Sequence, residues 1–173
     1  MHHETLPGHL LQAPLGEAAH APRLQLRFAG GYNEGWAIYA ERLADEMGAF
    51  EGEPLARLGY LQWMLFRVGR IVADTGIHVM RWDRARAIAE MQALQGDSIA
   101  FISIAEDVER FSVQPGLYAA QGLAALDMHD LRESTKRRVG ARFDLRRFHS
   151  AMLEFGPLSP PGLAQAAAVA FAG

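Results

Sequence analysis

Cysteine is absent from the 173-residue sequence. Disulfides and thiolate metal sites are therefore excluded, and histidine, aspartate and glutamate remain as the strong metal ligands. A surplus of basic charge is also absent, since the formal net charge is −3 at pH 7. The chain thus lacks the positive field that attracts nucleic acid or anionic lipid, and we expect neither as a partner.

Long apolar runs are missing as well. No stretch of the sequence approaches the roughly 20 apolar residues that span a membrane. The N-terminus does not carry the charged region and the apolar region that together mark a signal peptide. The sequence as it stands therefore predicts a soluble, cytoplasmic protein with no membrane partner.

Strand signals are scarce. Period-two alternation and Asn-Gly or Asp-Gly hairpin turns are lacking, whereas apolar residues recur at spacings of three and four almost throughout. Hydrophobic residues make up 50% of the chain, which is enough for one core at this length. We predict an all-α fold, a multi-helix single domain over residues 1–173.

The clearest predicted helix lies between Asn33, as its N-cap, and Gly48, as the residue that follows its C-terminus. Its apolar stripe comprises Trp36, Tyr39, Ala40, Leu43, Ala44 and Met47. A second long helix is predicted from Pro54 to Val79. Its predicted buried face comprises Leu58, Leu61, Leu65, Val68 and Val72. Further helices are predicted after Asp83, as a cap, and over 98–111, 116–140, 144–155 and 161–171.

The first candidate catalytic and metal-binding residues lie at the N-terminus, in MHHETLPGHLLQ. His3 and Glu4, followed by His9, resemble the zinc-peptidase motif H-E-x-x-H, but the histidines are six residues apart instead of four. On a regular helix, residues four apart differ by only about 40° around the axis, whereas residues six apart differ by about 120°. Pro7 and Gly8 stand where the backbone must deviate, because proline removes a helical hydrogen bond and glycine permits unusual dihedrals. Such a bend can return His9 to the side of His3.

A bend of this kind predicts a metal site. The neutral imidazoles of His3 and His9 would bind zinc, and Glu4 would accept the proton of a metal-bound water. The alternative is that the first residues are a start-site remnant and that His9 merely follows a turn. Glu34, at the start of a predicted helix, is either a third ligand or a charge that complements the helix dipole. Glu41, one heptad later, either holds a ligand histidine or is a solvated charge.

Several blocks, in this order along the chain, resemble those of the bacterial DUF885 family: HHETLPGHLLQ, YNEGWAIYAERLADEMG, RVGRIVADTGIHVMRWDRARAIAEM, EDVERFSVQPG and RVGARFDLRRFHSAMLEFGPL. The resemblance covers nearly the whole chain. It implies the helical core of a thermolysin-like, gluzincin-type zinc peptidase, with H-E-x-x-P-G-H and E-G-W-A as metal motifs. Carried over residue by residue, it implies His3, His9 and Glu34 as zinc ligands and Glu4 as the general base.

The chain departs from the family pattern in two respects. Family members are usually longer, with a large helical region before the H-E motif, so the chain resembles the C-terminal part of a longer architecture whose full-length members could be exported. After Pro115 and Gly116 the family tends to have Tyr-Lys, where this chain has Gln121 and Gly122. Tyr118 is out of register by three residues, and losing a tyrosine oxyanion donor would weaken transition-state stabilisation.

The block D-T-G-x-H places His78 at the end of a long predicted helix, shortly after Asp74. His78 can donate a hydrogen bond to an oxyanion, with Asp74 fixing its tautomer, or it is simply favourable at a helix C-terminus. We interpret His149 as structural, because its helical spacing with Phe148 and Met152 indicates packing. Three arginines are candidates either for binding a substrate carboxylate or for ordinary ion pairs: Arg67, Arg70 and Arg132.

Together these features predict a zinc-dependent hydrolase of metallopeptidase type that cleaves a peptide or amide bond. The alternative is a non-catalytic, truncated family remnant, which would serve as a helical metal-binding or interaction module. Zinc is the expected cofactor, and a peptide-like molecule is the expected substrate. Apolar surface left by a missing N-terminal region would favour a homo-oligomer or association with that region.

Overall fold

The computed structural model describes residues 2–18, 30–96 and 103–172. Within those ranges the chain is helical and contains no strand, which confirms the all-α prediction. The α-helices are α1 (His9–Ala18), α2 (Gly30–Glu46), α3 (Pro54–His78), α4 (Arg84–Gln95), α5 (Ile104–Val113), α6 (Leu117–Val139), α7 (Leu145–Leu153) and α8 (Pro160–Ala170), with a 3-10 turn at Gly140–Arg142. None of these helices is long and apolar enough to cross a membrane.

The fold divides into two compact units, each with a hydrophobic core. The first unit comprises the described residues of 1–43 and 124–173. The second unit comprises those of 44–123.

The core of the first unit is built around aromatic side chains of α2. Trp36 and Tyr39 are almost fully buried and belong to the same cluster as Phe148 and Met152 of α7. Aromatic side chains of this size each bury about 150–250 Å² and dominate core energetics. The hydroxyl of Tyr32 donates to the carbonyl of Met152 at 2.7 Å, and burial raises the pKa of Tyr32, which keeps the donor protonated. Helix α2 is therefore a fixed support within this unit.

The second unit contains α3, α4 and α5, which contact one another, together with the first residues of α6. Its core includes Phe66 of α3, Met91 of α4 and Phe111 of α5. Asp107 is fully buried, and the guanidinium of Arg70 donates to its two oxygens at 2.8 and 2.9 Å. The buried carboxylate is thus neutralised by a bidentate partner, without which its desolvation would strongly destabilise the unit.

Most predicted helix ends agree with the structure. Asp83 caps α4, since its side chain accepts a hydrogen bond from the backbone N–H of Arg86 at 2.8 Å. Gly48 follows the end of α2 with a φ of 82°, as a C′ glycine does. The helix predicted over 98–111 is found as α5 from Ile104, and residues 97–102 lie outside the described residues.

Two details predicted for α2 are wrong. Asn33 is not the N-cap, because α2 already includes Gly30. Its side-chain oxygen instead accepts a hydrogen bond from Nε2 of Gln12 at 3.1 Å, a long-range contact that local sequence does not reveal. Met47 does not extend the apolar stripe, since it lies beyond the last helical residue and its side chain is exposed.

The predicted buried face of α3 is also wrong. Its four members from Leu58 to Val68 are exposed, and Val72 is only partly buried. The helix packs instead through Phe66 and through small residues, including Gly69 and Ala73. Apolar residues occur almost all around α3, so the spacing alone cannot select a face. The helix packs where its residues are small: Met91 of α4 lies 3.6 Å from the position that a Cβ on Gly69 would take, an ordinary contact distance.

Phe66 and Leu58 should therefore respond differently to substitution, although both are large apolar residues of one helix. Phe66 is 2% exposed, and we expect Phe66→Ala to lower the free energy of unfolding by about 3–5 kcal/mol through lost burial and a cavity. Leu58 is 51% exposed, and Leu58→Gln should change the free energy of unfolding by no more than about 0.5 kcal/mol. Urea denaturation followed by circular dichroism measures both, and equal losses would contradict the observed packing of α3.

Candidate metal centre

The N-terminal histidines lie in a wide turn that precedes α1. The backbone N–H of His9 donates to the carbonyl of His3 at 2.8 Å, and that of Leu10 donates to the carbonyl of Glu4 at 3.2 Å. Both bonds connect residues six apart, whereas a helix connects residues four apart. The turn therefore accommodates two additional residues, which explains the unusual histidine spacing. His3 and Glu4 themselves are not on a helix, because α1 begins at His9.

Gly8 is where the turn is tightest. It is buried, and a Cβ at this position would overlap the carbonyl oxygens of His2 and His3. Only glycine fits without a backbone shift, because carbonyl oxygens cannot rotate away as a side chain can. The result of the turn is that the imidazole rings of His3 and His9 meet edge to face, with their centroids 4.9 Å apart.

Helix α2 adds a carboxylate between the two imidazoles. One oxygen of Glu34 lies 3.2 Å from Nε2 of His3, and the other lies 3.4 Å from Nε2 of His9. The three side chains are largely but not fully buried, so the cluster remains accessible from solvent. The sequence predicted these three residues as ligands, and the structure brings them together.

Glu41 holds His3 from the opposite side. Its carboxylate oxygen lies 2.8 Å from Nδ1 of His3, and its side chain is only 8% exposed. We assign the proton to Nδ1, because the carboxylate accepts it there. In that tautomer Nε2 of His3, 3.2 Å from Glu34, is the nitrogen that would offer its lone pair to a metal bound between the two. A carboxylate behind a histidine in this manner is the usual means of orienting a metal ligand.

Glu4 lies at the exposed edge of the cluster. Its side chain is 76% exposed, and its nearest oxygen is 3.9 Å from Nε2 of His3. Ligand atoms of His3, Glu4 and His9 all lie within 4.8 Å of one another. Glu4 is therefore within reach of a molecule held at the cluster, while solvent has access to its carboxylate.

The donor set fits zinc. Zinc accepts imidazole nitrogen and carboxylate oxygen at about 2.0–2.1 Å, and two such ligands at a tetrahedral angle lie about 3.3 Å apart. One oxygen of Glu34 is 3.2 Å from His3 and the other is 3.4 Å from His9, so each separation is close to this value, through a different carboxylate oxygen. Three protein ligands that each bind through one atom would leave one tetrahedral position, which is typical of catalytic zinc and not of structural zinc.

Asp74 and His78 lie in the second unit. Asp74 is buried, and its two oxygens accept hydrogen bonds at 2.9 Å from the backbone N–H groups of Gly116 and Ala119. It thus satisfies backbone donors at the start of α6, a role that local sequence does not reveal because the partners lie more than 40 residues away. Nε2 of His78 is 2.6 Å from the carbonyl of Phe111 and 3.8 Å from Asp74. The predicted oxyanion role of His78, with Asp74 as its orienting partner, stays a prediction.

The remaining candidates make contacts within their own units. Nε2 of His149 lies 2.8 Å from the hydroxyl of Tyr39, and Nη1 of Arg132 donates to the same hydroxyl at 3.2 Å. Of the other two candidate arginines, Arg70 forms the buried ion pair of α3 and α5, and the guanidinium of Arg67 lies over the ring of Trp63. The ring of Tyr118 packs against Phe111. These contacts support structural roles for His149 and for Arg70.

Solved structures resemble the chain closely. A crystal structure from Colwellia psychrerythraea shares 38% sequence identity, with a TM-score of 0.87 over 96% of this chain and 28% of its own. A structure from Shewanella oneidensis shares 29% identity, with a TM-score of 0.79 over 94% of this chain and 30% of its own. Both are named putative lipoproteins, the second of unknown function. This chain therefore spans less than a third of the length of either solved relative.

Among curated proteins, no match is found. The model of one family, described as a bacterial protein of unknown function (DUF885), matches residues 1–166. That span includes the turn, His3 and His9, and Glu34 and Glu41 of α2. By this match, the chain belongs to the DUF885 family of bacterial proteins.

Proposed function

We propose that the chain carries the centre of a zinc-dependent hydrolase of metallopeptidase type, related to the thermolysin-like gluzincins, which cleaves a peptide or amide bond. The observation that carries this proposal is the convergence of three donors: the Nε2 atoms of His3 and His9 lie within 3.4 Å of the carboxylate of Glu34. The buried carboxylate of Glu41 behind His3 supports it, because an orienting partner of this kind has a clear use at a metal centre.

The proposal gives the residues of the cluster three roles: metal ligand, orienting partner and general base. His3, His9 and Glu34 would hold zinc, and Glu41 would keep the ring of His3 in the tautomer that presents Nε2. Zinc, when bound, supplies a Lewis acid that polarises a carbonyl and lowers the pKa of water. Glu4, exposed at the edge of the cluster, would accept the proton of the attacking water and later deliver it to the leaving amine.

Removal of the metal tests this proposal. We expect the zinc-loaded chain to cleave members of a mixture of short synthetic peptides, a chelator to abolish cleavage, and stoichiometric zinc to restore it. Mass spectrometry of the peptide mixture measures each state. Cleavage that persists without metal would contradict a zinc hydrolase, because the cluster without zinc offers no Lewis acid.

A second candidate is a non-catalytic, helical metal-binding module. The observation that favours it is the exposure of Glu4, whose side chain is 76% exposed at the edge of the cluster. Substrate pockets need walls on several sides, and an exposed base is not enclosed in this way. Stoichiometric zinc without cleavage of any peptide would favour this candidate over the hydrolase.

A further inference from the structure

The carbonyl of Pro7 occupies a distinctive position in the wide turn. Backbone hydrogen bonds in this turn and at the start of α1 end on the carbonyls of His3, Glu4 and Gly8. The carbonyl of Pro7 instead accepts a hydrogen bond at 3.0 Å from Nε1 of Trp36, a residue 29 positions later in the chain. The part of the turn that allows six-residue spacing is thus held by a side chain of α2.

Trp36 is a rigid donor. Its side chain is fully buried, and its ring packs against Tyr39 at 5.5 Å and against His149 at 5.6 Å between centroids. Because these neighbours fix the indole plane, its N–H cannot follow the turn if the turn moves. The position of the Pro7 carbonyl is therefore set relative to α2.

The same helix carries the acidic half of the cluster. Trp36 lies two residues after Glu34 and five before Glu41, while Pro7 lies between His3 and His9. The indole bond thus connects the segment that carries the imidazoles directly to the helix that carries the carboxylates. A displacement of the turn by a fraction of an ångström would alter the separations of 3.2 and 3.4 Å on which common metal ligation depends.

We infer that Trp36 is a positioning residue for the metal centre, whose indole N–H holds the Pro7 carbonyl and thereby keeps His9 beside His3 and facing Glu34. This inference rests on the proposed zinc function. It gives Trp36 no contact with metal or substrate. The residue acts by reducing the freedom of the turn, so that the ligands are arranged before the metal arrives.

The test compares Trp36→Phe with Tyr32→Phe in the whole chain. Both variants keep a buried aromatic ring on α2, and each removes one side-chain hydrogen bond to a backbone carbonyl, to Pro7 or to Met152. The zinc dissociation constant is measured by chelator competition, at a temperature well below the Tm of each variant. In Trp36→Phe we expect zinc affinity to fall by about tenfold to hundredfold, which is the usual effect of removing a group that supports a metal ligand. In Tyr32→Phe we expect it to fall by less than roughly threefold.

A second variant separates the N–H from the shape of the ring. Incorporation of benzothienylalanine at position 36 keeps the bicyclic ring and puts sulfur in place of the N–H, so the core stays filled. We expect the same loss of zinc affinity as in Trp36→Phe. Unchanged affinity in both position-36 variants, or an equal loss in Tyr32→Phe, would overturn the inference.

A readout without metal distinguishes this inference from the proposed function. In the metal-free native chain, nuclear Overhauser effects should connect the ring protons of His3 and His9, whose centroids are 4.9 Å apart. We expect these effects to persist in Tyr32→Phe and to disappear in both position-36 variants. If the native chain binds no zinc but the effects disappear as expected, the positioning role stands and the zinc function fails. If zinc binds and the effects persist in all variants, the zinc function stands and the positioning role fails.

Discussion

Gly8→Ala should weaken zinc binding more than about hundredfold, because it should dislodge a ligand and not merely a supporting group. The added Cβ would overlap the backbone carbonyl oxygens of His2 and His3, and no side-chain rotation can relieve that overlap. The turn would have to open, and the 2.8 Å bond from the N–H of His9 to the carbonyl of His3 would be lost. His9 would then leave the neighbourhood of Glu34.

Gly16→Ala is the matched control for this substitution. Gly16 lies in α1, and the nearest atom to an added Cβ is Nε2 of Gln12 at an ordinary contact distance of 3.6 Å. Replacing a helical glycine by alanine should stabilise the chain by up to about 1 kcal/mol, and zinc affinity should not change. Isothermal titration of zinc into both variants and the native chain measures the effect. If Gly8→Ala bound zinc as tightly as the native chain, the wide turn would not be what gathers the histidines.

Glu4→Gln should lower the rate of peptide cleavage by about 10² to 10⁴-fold while leaving zinc content and thermal stability unchanged. Glutamine has nearly the shape of glutamate but cannot accept a proton at the reacting water. The side chain of Glu4 is 76% exposed and its carboxylate lies 3.9 Å from His3, so the substitution should disturb neither the core nor the ligands.

The control for Glu4→Gln is the same change at an exposed glutamate of α4. The side chain of Glu90 is 44% exposed and lies in the second unit, where it makes a long ion pair of 3.7 Å with Arg86, so Glu90→Gln should keep full activity. Single-turnover cleavage of the best substrate in the peptide mixture measures the chemical step for both variants. Full activity in Glu4→Gln would exclude Glu4 as the base, and loss of zinc from that variant would identify Glu4 as a ligand instead.

The fold was predictable where local chemistry decides it. Asp83 begins α4 because its side chain can cap a helix, and Gly48 follows α2 because it adopts a positive φ. The face of α3 was not predictable in this way. Leucines dominate the face from Leu58 onward, yet packing follows Gly69 and Ala73, because close approach depends on the neighbouring helix and not on the hydrophobicity of α3 alone.

The candidate site was likewise predictable only where local sequence decides its structure. The residue types around Pro7 were enough to predict a bend between His3 and His9, and a bend is present. The hydrogen bond from Trp36 to Pro7 was not predictable, because it connects groups far apart in sequence and leaves no periodic pattern. The same holds for Asp74, whose oxygens accept from the backbone at the start of α6.

We propose that the turn and α2 together form one metal site. Zinc per chain after metal-free purification and reconstitution tests it most directly, with the native sequence compared with His9→Ala and Glu34→Ala. We expect close to one zinc per native chain, retained on gel filtration, and loss of that zinc in both variants. Absence of stoichiometric zinc from the native chain, or its retention in both variants, would contradict the claim.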